Sequence, residues 1–406
     1  MPIGFGFYFS MDKDLHKLQT KHHKKRGKTL VKKITGWLHL WLGLISGLIV
    51  FVVVLSGTLF VFCDEIIDLV AGSDKYIEYR EGQQKIDADV LIAQFNTRHK
   101  EEGRKAFYID EYKDPERSFR IASGIKRGGF SYTYVNPYNG KEIGSTTAYR
   151  FFYVVAHIHS QLLLGGFGKT VVGIASIIFF IQLVGGLILW WPQKWTKATR
   201  TSSFKFKRGV KWKRRNYDLH NVLGFYVVIP AIFVTITGLI MAYEVLESFT
   251  QKTFGGVPAV EARKLSKKYE PAFVEGKDFI TMQDAIDITR VRHPENNQVR
   301  VSFFGGDDST TYSILVGKFI GLKSAVDAHD INLNRYTGNE IEMPEILENH
   351  EKIEHTNFDL HVGYWGGYIG KTITFIVGII CSSLPITGVL IWWGRRNKKK
   401  PVAVVK

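Results

Sequence analysis

The chain has 406 residues, a formal net charge of +16 at pH 7 and a hydrophobic fraction of 45%. This length leaves room for two domains or more, and such a charge would suggest nucleic-acid binding in a soluble protein. The pattern along the chain argues against that class, because the apolar residues are bunched and the basic residues lie beside the bunches. The composition therefore predicts a protein that contacts the lipid bilayer and no nucleic acid.

Four mostly apolar runs are each close to the ~20 residues that a helix needs to cross the hydrocarbon core of a bilayer. The alternative is a helix buried in a soluble core, and four uncharged runs of this length argue against it. The first run is too long, and begins too far along the chain, for a cleaved signal peptide, so it predicts a retained anchor. The runs cover residues 37–62, 170–191, 222–243 and 372–393.

Basic residues are concentrated before the first run, between the second and third runs, and after the fourth. These are alternate connections, so they lie on one side of the membrane, and the positive-inside rule makes that side the cytoplasm. Both termini are then cytoplasmic, while segments 64–150 and 244–357 lie outside. The predicted location is the bacterial inner membrane, which the chain crosses four times.

The two halves of the sequence repeat each other. The run His39-Leu-Trp-Leu-Gly43 matches His220-Asn-Val-Leu-Gly224, and 220 − 39 gives an offset of 181 residues. A second match starts at His159 and His361, where 361 − 159 gives 202, and continues to Gly-Lys-Thr and Trp-Trp in both halves. Each half thus predicts a helix, an external segment and a helix that run in the same direction, which is a parallel duplication.

Each external segment contains a short helix candidate, alternating strands and a hairpin signal. The helix candidates cover residues 87–99 and 281–293. The hairpin turns read Asn-Pro-Tyr-Asn-Gly at 136–140 and Asn-Arg-Tyr-Thr-Gly at 334–338. A turn with glycine between two β-runs is typical of a hairpin. The segments therefore predict two small α+β modules outside the membrane.

Four of the 13 histidines occupy matched positions of the repeat. His39 and His220 lie near the cytoplasmic ends of their spans, whereas His159 and His361 lie at the external ends. Ionisable residues in or beside membrane spans are costly and usually functional. Packing the halves together predicts two histidine pairs, and two facing imidazoles are the ligands that six-coordinate haem iron uses in electron transfer.

Other interpretations of these histidines stay open from the sequence. A single histidine can be an interfacial anchor or make an ordinary polar contact, and a zinc or copper site needs a third ligand close by. Glycines beside the histidines favour the binding of a flat macrocycle. Glycine has no Cβ, so the macrocycle can approach the helix backbone closely at these positions. These glycines are Gly43, Gly47, Gly224, Gly363 and Gly366.

Two features complicate the outer pair. His157 is two residues from His159, about 200° around a helix, so both cannot face one group, and His159 is the one that matches the repeat. His159 also precedes the second apolar run by about ten residues, and a continuous helix would lift it ~15 Å out of the core. A helix break at Gly165 and Gly166 would bring this segment back onto the membrane.

Nucleotide motifs and haem-attachment motifs are missing from the sequence. Gly168-Lys169-Thr170 is like the end of a P-loop, but Leu163 stands where the first glycine is required, and no GxGxxG follows a strand. Cys63 and Cys381 form neither a CxxC motif nor a CxxCH attachment site, so a haem would be bound without covalent attachment. Electrons would come from a partner, and quinol and a cytoplasmic reductase are both possible donors.

Together these motifs resemble the PepSY-associated transmembrane family, iron-regulated di-haem membrane proteins that include ferric-siderophore reductases of the inner membrane. The resemblance covers nearly the whole chain. It implies two b-type haems and reduction of ferric siderophores or other Fe(III) chelates in the periplasm. The haem ligands that it implies are His39, His159, His220 and His361. The alternative is a PepSY-domain binding or regulatory protein that restrains a protease or senses a ligand without redox activity.

The predicted fold class is a membrane all-α four-helix transmembrane bundle with two extracytoplasmic α+β PepSY-like modules and an internal parallel duplication. Basic cytoplasmic segments are expected at 1–36, 194–216 and 395–406. The spans, with their histidine-bearing segments, are expected at 37–63, 151–193, 217–243 and 358–394, and the external modules at 64–150 and 244–357.

Overall fold

The computed structural model describes residues 29–125, 129–302 and 309–396. Within these ranges, four helical stretches are long and apolar enough to cross a membrane. They are Leu30–Phe60, Gly165–Trp190, Trp212–Ala242 and Tyr364–Arg396. Most of the predicted basic N-terminal tail, and the end of the C-terminal tail, lie outside the described residues. The four apolar helices agree with the predicted four-pass bundle.

The helices are numbered here in chain order. They are α1 Leu30–Phe60, α2 Cys63–Ala71, α3 Ala88–Arg98, α4 Ala148–Gln161, α5 Gly165–Trp190, α6 Lys197–Phe204, α7 Trp212–Asp218, α8 Gly224–Ala242, α9 Glu244–Thr253, α10 Ala259–Ser266, α11 Met282–Arg292, α12 Glu345–Val362 and α13 Gly367–Arg396. A π-helical turn, Leu219–Leu223, joins α7 to α8, and a 3₁₀ turn, Tyr364–Gly366, precedes α13.

The four spans pack as a closed ring in which α1 contacts α5 and α13, and α8 contacts the same two helices. Small residues permit close approach where the helices cross, as where a Cβ on Gly47 would lie 3.4 Å from Pro385. Such small-residue contacts are typical of membrane helix interfaces, since lipid leaves little hydrophobic drive for helix association. Only a minor share of each span is buried within the protein, which leaves the rest for lipid.

Helix α4 packs against α1, and α12 packs against α8, so both histidine-bearing segments lie beside the spans. Helix α4 ends where Leu162 and Leu163 take left-handed φ angles of 51° and 59°, and α5 starts at Gly165 with φ 58°. The sequence analysis expected a break at Gly165 and Gly166. The structure places the break at residues 162–165, so it includes Gly165 as expected, whereas Gly166 is helical. The broken helix keeps His159 against the bundle.

The external segments share one antiparallel sheet of seven strands, in the order β4-β3-β2-β1-β5-β6-β9. Strands β1 and β5 form the seam between the first and second segments, with Asp110 opposite Arg300. The sequence predicted two modules, and it did not predict that they would be joined in one sheet. The strands are β1 Lys105–Tyr112, β2 Phe119–Gly124, β3 Ser131–Val135, β4 Glu142–Thr146, β5 Gln298–Ser302, β6 Thr311–Gly317, β7 Phe319–Ile320, β8 Ala325–Val326 and β9 His329–Asn334.

One face of this sheet packs on α3 and α11 to form an apolar core that includes Phe95, Ile109 and Ile286. The α11 N-terminus is held by a capping box of Thr281 and Asp284, a motif that satisfies two otherwise unpaired backbone amides. The opposite face packs on α2 and α4. The sheet is therefore attached directly to the membrane bundle.

Candidate functional site: two histidine pairs in the bundle

The inner pair joins the first and third spans. His39 lies on α1 and His220 lies on the π-helical turn, and their ring centroids are 6.3 Å apart with an interplanar angle of 88°. A metal binds an imidazole nitrogen at about 2 Å and the ring centre lies roughly 1 Å further, so two imidazoles on one metal have centroids about 6 Å apart. The spacing of the pair suits one metal between the rings. Single π-helical turns are also frequent at functional sites.

A cavity of about 620 Å³ surrounds the inner pair. This volume is within the usual range of ligand pockets, about 300–1,000 Å³. Six glycines are among its lining residues. A Cβ on Gly186 would lie 3.5 Å from the Cε1 atom of His39, and a Cβ on Gly388 would lie 3.5 Å from that of His220. Three basic residues also line the cavity, at the N-terminal end of the first span and the C-terminal end of the fourth, namely Lys32, Lys33 and Arg395.

The polar contacts of the inner pair differ between its two rings. His220 Nδ1 lies 2.9 Å from Thr387 Oγ1, and that hydroxyl donates to the Ser383 and Leu384 carbonyls, so the imidazole N–H donates to the hydroxyl oxygen. His220 Nε2 is then left with a free lone pair. Within the described residues, His39 Nδ1 is buried with no hydrogen-bond partner. The Nδ1 atoms of His159, His220 and His361 all donate to protein oxygens, so His39 differs from them in this contact.

The outer pair is formed by the helices that precede the second and fourth spans. His159 on α4 and His361 on α12 have ring centroids 6.0 Å apart and an interplanar angle of 53°. His159 Nδ1 donates to the Val53 carbonyl at 2.7 Å, and His361 Nδ1 donates to the Val234 carbonyl at 2.9 Å. A carbonyl can only accept, so Nδ1 carries the proton and Nε2 keeps its lone pair, which is the state of a metal-binding imidazole.

Two glycines let the outer imidazoles reach these carbonyls. A Cβ on Gly57 would lie 2.6 Å from His159, and a Cβ on Gly238 would lie 2.9 Å from His361. Neither glycine was predicted to contact a histidine. The available signal was their common offset, because 238 − 57 is 181 and the two bonded carbonyls, at 53 and 234, have the same separation.

Other candidates from the sequence lie elsewhere. His157 donates from Nδ1 to the Tyr153 carbonyl at 2.8 Å and stacks on the Tyr153 ring, away from the outer pair. Gly43, Gly47 and Gly224 line the inner cavity as expected. The other two predicted glycines do not touch the histidines. Gly363 ends α12 with φ 92° and lies against Gly370, and a Cβ on Gly366 would have no neighbour within 4 Å.

The two imidazoles of each histidine pair suit a metal that is already coordinated by a non-protein group. Each pair offers two imidazoles, and within the described residues no group of three or more His, Cys, Asp or Glu side chains is placed to hold a metal ion. Zinc in proteins takes three or four protein ligands. An iron porphyrin brings four nitrogens and needs only two axial ligands, one on each face. The glycine-lined cavity and the ring spacing therefore fit haem at the inner pair, and the ring spacing fits it at the outer pair.

A sequence profile of the PepSY-associated TM region matches residues 36–395 of the chain. The matched stretch includes both histidine pairs, all of the external sheet and nearly all of the four spans. No curated protein matches the chain. Because the profile extends over most of the chain, the protein belongs to the PepSY-associated transmembrane family, as its motifs predicted.

Proposed function

We propose that the protein is a di-haem b electron-transfer protein of the bacterial inner membrane, and that it reduces ferric siderophores or other Fe(III) chelates in the periplasm. The observation that carries the proposal is the presence of two facing imidazole pairs, 6.3 Å and 6.0 Å between centroids, at two levels of one helix bundle. Bis-histidine coordination leaves no open iron position, which is typical of electron carriers.

His39 and His220 would hold one haem, and His159 and His361 would hold the other. A bound haem supplies an iron that changes between the ferric and ferrous states by one electron. Carbonyls of Val53 and Val234 keep the outer imidazoles in the Nδ1-protonated form and fix their ring orientation. The cations that line the inner cavity, Lys32, Lys33 and Arg395, are suited to pair with the carboxylates of the macrocycle.

The topology and the repeat are part of the proposal. The basic flanks of the spans support cytoplasmic termini, and the external sheet then lies in the periplasm beside the outer pair. The offset-matched contacts of the histidines support an internal parallel duplication with two PepSY-like external modules, one from each segment. In this arrangement the inner and outer pairs lie one above the other between the cytoplasm and the periplasm.

The substrate class follows from the chemistry of iron. Hard oxygen donors hold Fe(III) tightly and hold Fe(II) far less well, so one electron delivered outside the cytoplasm releases the metal from its chelate. Trp365 and Tyr368, close after His361, are 65% and 72% exposed and offer an aromatic surface near the outer pair. Tyr364 belongs to the same turn, but its hydroxyl donates to Asp64. Aromatic walls with a few polar groups are common in ligand sites.

The purified protein tests the cofactor assignment directly. A pyridine haemochrome assay should give two non-covalent b haems per chain, extractable with acidic acetone. In a redox titration, His39→Ala and His220→Ala should lose one component, and His159→Ala and His361→Ala should lose the other. His157→Ala is the control and should keep both. A colourless, folded protein would favour the binding or regulatory alternative, and loss of one component by both His39→Ala and His159→Ala would overturn the pairing.

A further inference from the structure

A buried polar junction lies between the outer histidine pair and the external sheet. Asp64 follows α1 and is 4% exposed. Its carboxylate accepts hydrogen bonds from the backbone amides of Leu322 and Ser324, from the Ser324 hydroxyl, and from Tyr364 at 3.3 Å. Both carboxylate oxygens are used as hydrogen-bond acceptors. The junction therefore places a desolvated negative charge at the external end of the bundle.

A second acidic residue lies beside it with a buried cation. Glu65 forms an ion pair with Lys371, whose side chain is 5% exposed. The Lys371 ammonium also lies 5.1 Å from the centre of the Phe62 ring and 4.8 Å from that of Tyr364. One ammonium faces two carboxylates, so the junction formed by Asp64, Glu65 and Lys371 carries a net negative charge.

The junction is close to the outer pair. Gly57 touches the His159 ring. Asp64 is seven residues further along a nearly continuous helical path, or about 10 Å at the rise of an α-helix. Tyr364 is three residues after His361. Charges at this separation are poorly screened when low-dielectric protein lies between them.

The inner pair has the opposite electrostatic surroundings. Among the described residues, its cavity is lined by the cations Lys32, Lys33 and Arg395 and by no acidic side chain. The repeat does not reproduce the acidic junction either, because residues 181 positions after Asp64 and Glu65 are Val245 and Leu246. Within the described residues, the lining of the inner cavity thus has no counterpart of the acidic junction.

We propose that the acidic junction lowers the reduction potential of the outer redox centre below that of the inner one. An added electron is repelled by the carboxylate charge at the outer pair and attracted by the cations at the inner pair. The outer centre would then be the stronger reductant, which suits transfer of an electron to a stable Fe(III) chelate. This inference rests on the proposed function, since it requires a redox cofactor at each pair.

Spectropotentiometric titration of the purified haem-containing protein tests the inference. Wild type should show two components, and the component that His361→Ala removes should have the lower midpoint potential. Asp64→Asn should raise that midpoint, because it removes a buried negative charge. Lys371→Gln should lower it, because two carboxylates are left without their cation. Neither change should move the inner component.

The opposite signs separate an electrostatic role from a structural one, because general disruption of the junction would move both variants in the same direction. Asp68→Asn is the matched control. It removes the same charge from α2 one turn further on, where the carboxylate is 44% exposed and paired with Lys75, and it should leave both midpoints in place. Glu65→Gln repeats the charge test at a side chain whose ion pair, within the described residues, is with Lys371.

Several outcomes would overturn the inference. One is that the outer component of the wild type has a higher midpoint potential than the inner component. Another is that the outer midpoint potential is the same as in wild type in all three variants, Asp64→Asn, Glu65→Gln and Lys371→Gln. Shifts of the same sign in Asp64→Asn and Lys371→Gln would also contradict it. All of these leave two haem components visible, so they are distinct from failure of the proposed function, in which no haem components appear.

Discussion

At the residue scale, the candidate site depends on small side chains as much as on histidines. The four histidines could be selected from the sequence because their offsets within the repeat agree. The contacts that orient them could not be selected, because each joins two helices that are far apart in the chain. His159 and Val53, for example, are separated by 106 residues. Gly57 and Gly238 also match each other in the sequence repeat. Their role could not be predicted, because it depends on the direction from which the imidazoles approach the helix backbone.

Replacement of either of these glycines tests the close approach. Gly57→Ala puts a Cβ 2.6 Å from His159, and Gly238→Ala puts one 2.9 Å from His361, so each imidazole must shift. We expect loss or displacement of the outer spectral component with the inner one unchanged, and a stability cost of about 1–3 kcal/mol, as for an overpacked core. Visible and EPR spectra, together with thermal melting, measure these effects.

Gly166→Ala is the control for the glycine series. It lies in α5, and an added Cβ there would have no neighbour within 4 Å. Alanine is the better helix former, so this variant should keep both components and be at least as stable as wild type. Normal outer spectra in both Gly57→Ala and Gly238→Ala would show that the approach is not required.

At the element scale, local signals were readable and long-range pairing was not. Helix α11 was predicted at 281–293 and is found at Met282–Arg292, because its capping box is a local pattern. The seam between β1 and β5 joins residues 190 positions apart, as in the Asp110–Arg300 ion pair. The alternation of side chains along a strand predicts the strand itself, but it does not indicate which other strand will pair with it. The π-helical turn at His220 was also not predicted, because the spacing of apolar residues in the sequence does not indicate it.

The seam contains a buried charge cluster whose loss should weaken the external sheet. Asp110 is fully buried and bonds Arg120 at 2.8 Å and Arg300 at 2.7 Å. Asp110→Asn leaves two buried guanidinium groups without their anion, and breaking such a cluster costs about 3–5 kcal/mol. Limited proteolysis of the external sheet and thermal melting should both report the loss. Asp327→Asn is the control, because its pair with Lys318 is exposed and contributes little.

The same cluster predicts a dependence on pH. Burial alone raises the pKa of Asp110, but the charges and hydrogen bonds of Arg120 and Arg300 outweigh it and hold the pKa below its usual value. The stabilisation is therefore complete above the unfolded-state pKa of about 4, and it is lost as the pH falls through the lower folded-state pKa. Wild type and Asp110→Asn should converge in stability in acid. An undiminished difference at the lowest pH would contradict this assignment.

At the scale of the whole molecule, the four spans and the two helices packed beside them hold the two histidine pairs within one bundle. If the proposed function is correct, protein reduced with dithionite and freed of excess reductant should be reoxidised by an anaerobic ferric siderophore. The haem α-band should collapse while ferrozine traps Fe(II). NADH alone should leave the oxidised protein unchanged, since the sequence contains no nicotinamide motif.

His361→Ala separates electron storage from electron exit in this assay. The variant should keep its inner component and lose the reaction with the chelate, because its outer site lacks a ligand. If ferric chelates leave the reduced wild type untouched and NADH reduces the oxidised protein, then both the substrate class and the donor are wrong. Chelate reduction by His361→Ala at the wild-type rate would place the exit elsewhere.

The order of strands in the external sheet has a consequence for how such a chain could arise. Three strands of the second segment, β5, β6 and β9, continue the sheet on one side of the seam, and β1 to β4 continue it on the other, so an approximate two-fold axis passes between β1 and β5. A half-length chain would leave one of these strands as an open edge, and open edges pair readily with a second copy. The seam thus has the geometry of an isologous homodimer interface. If the proposed duplication joined two such subunits into one polypeptide, their equivalent positions became free to differ, as Asp64 and Val245 now do.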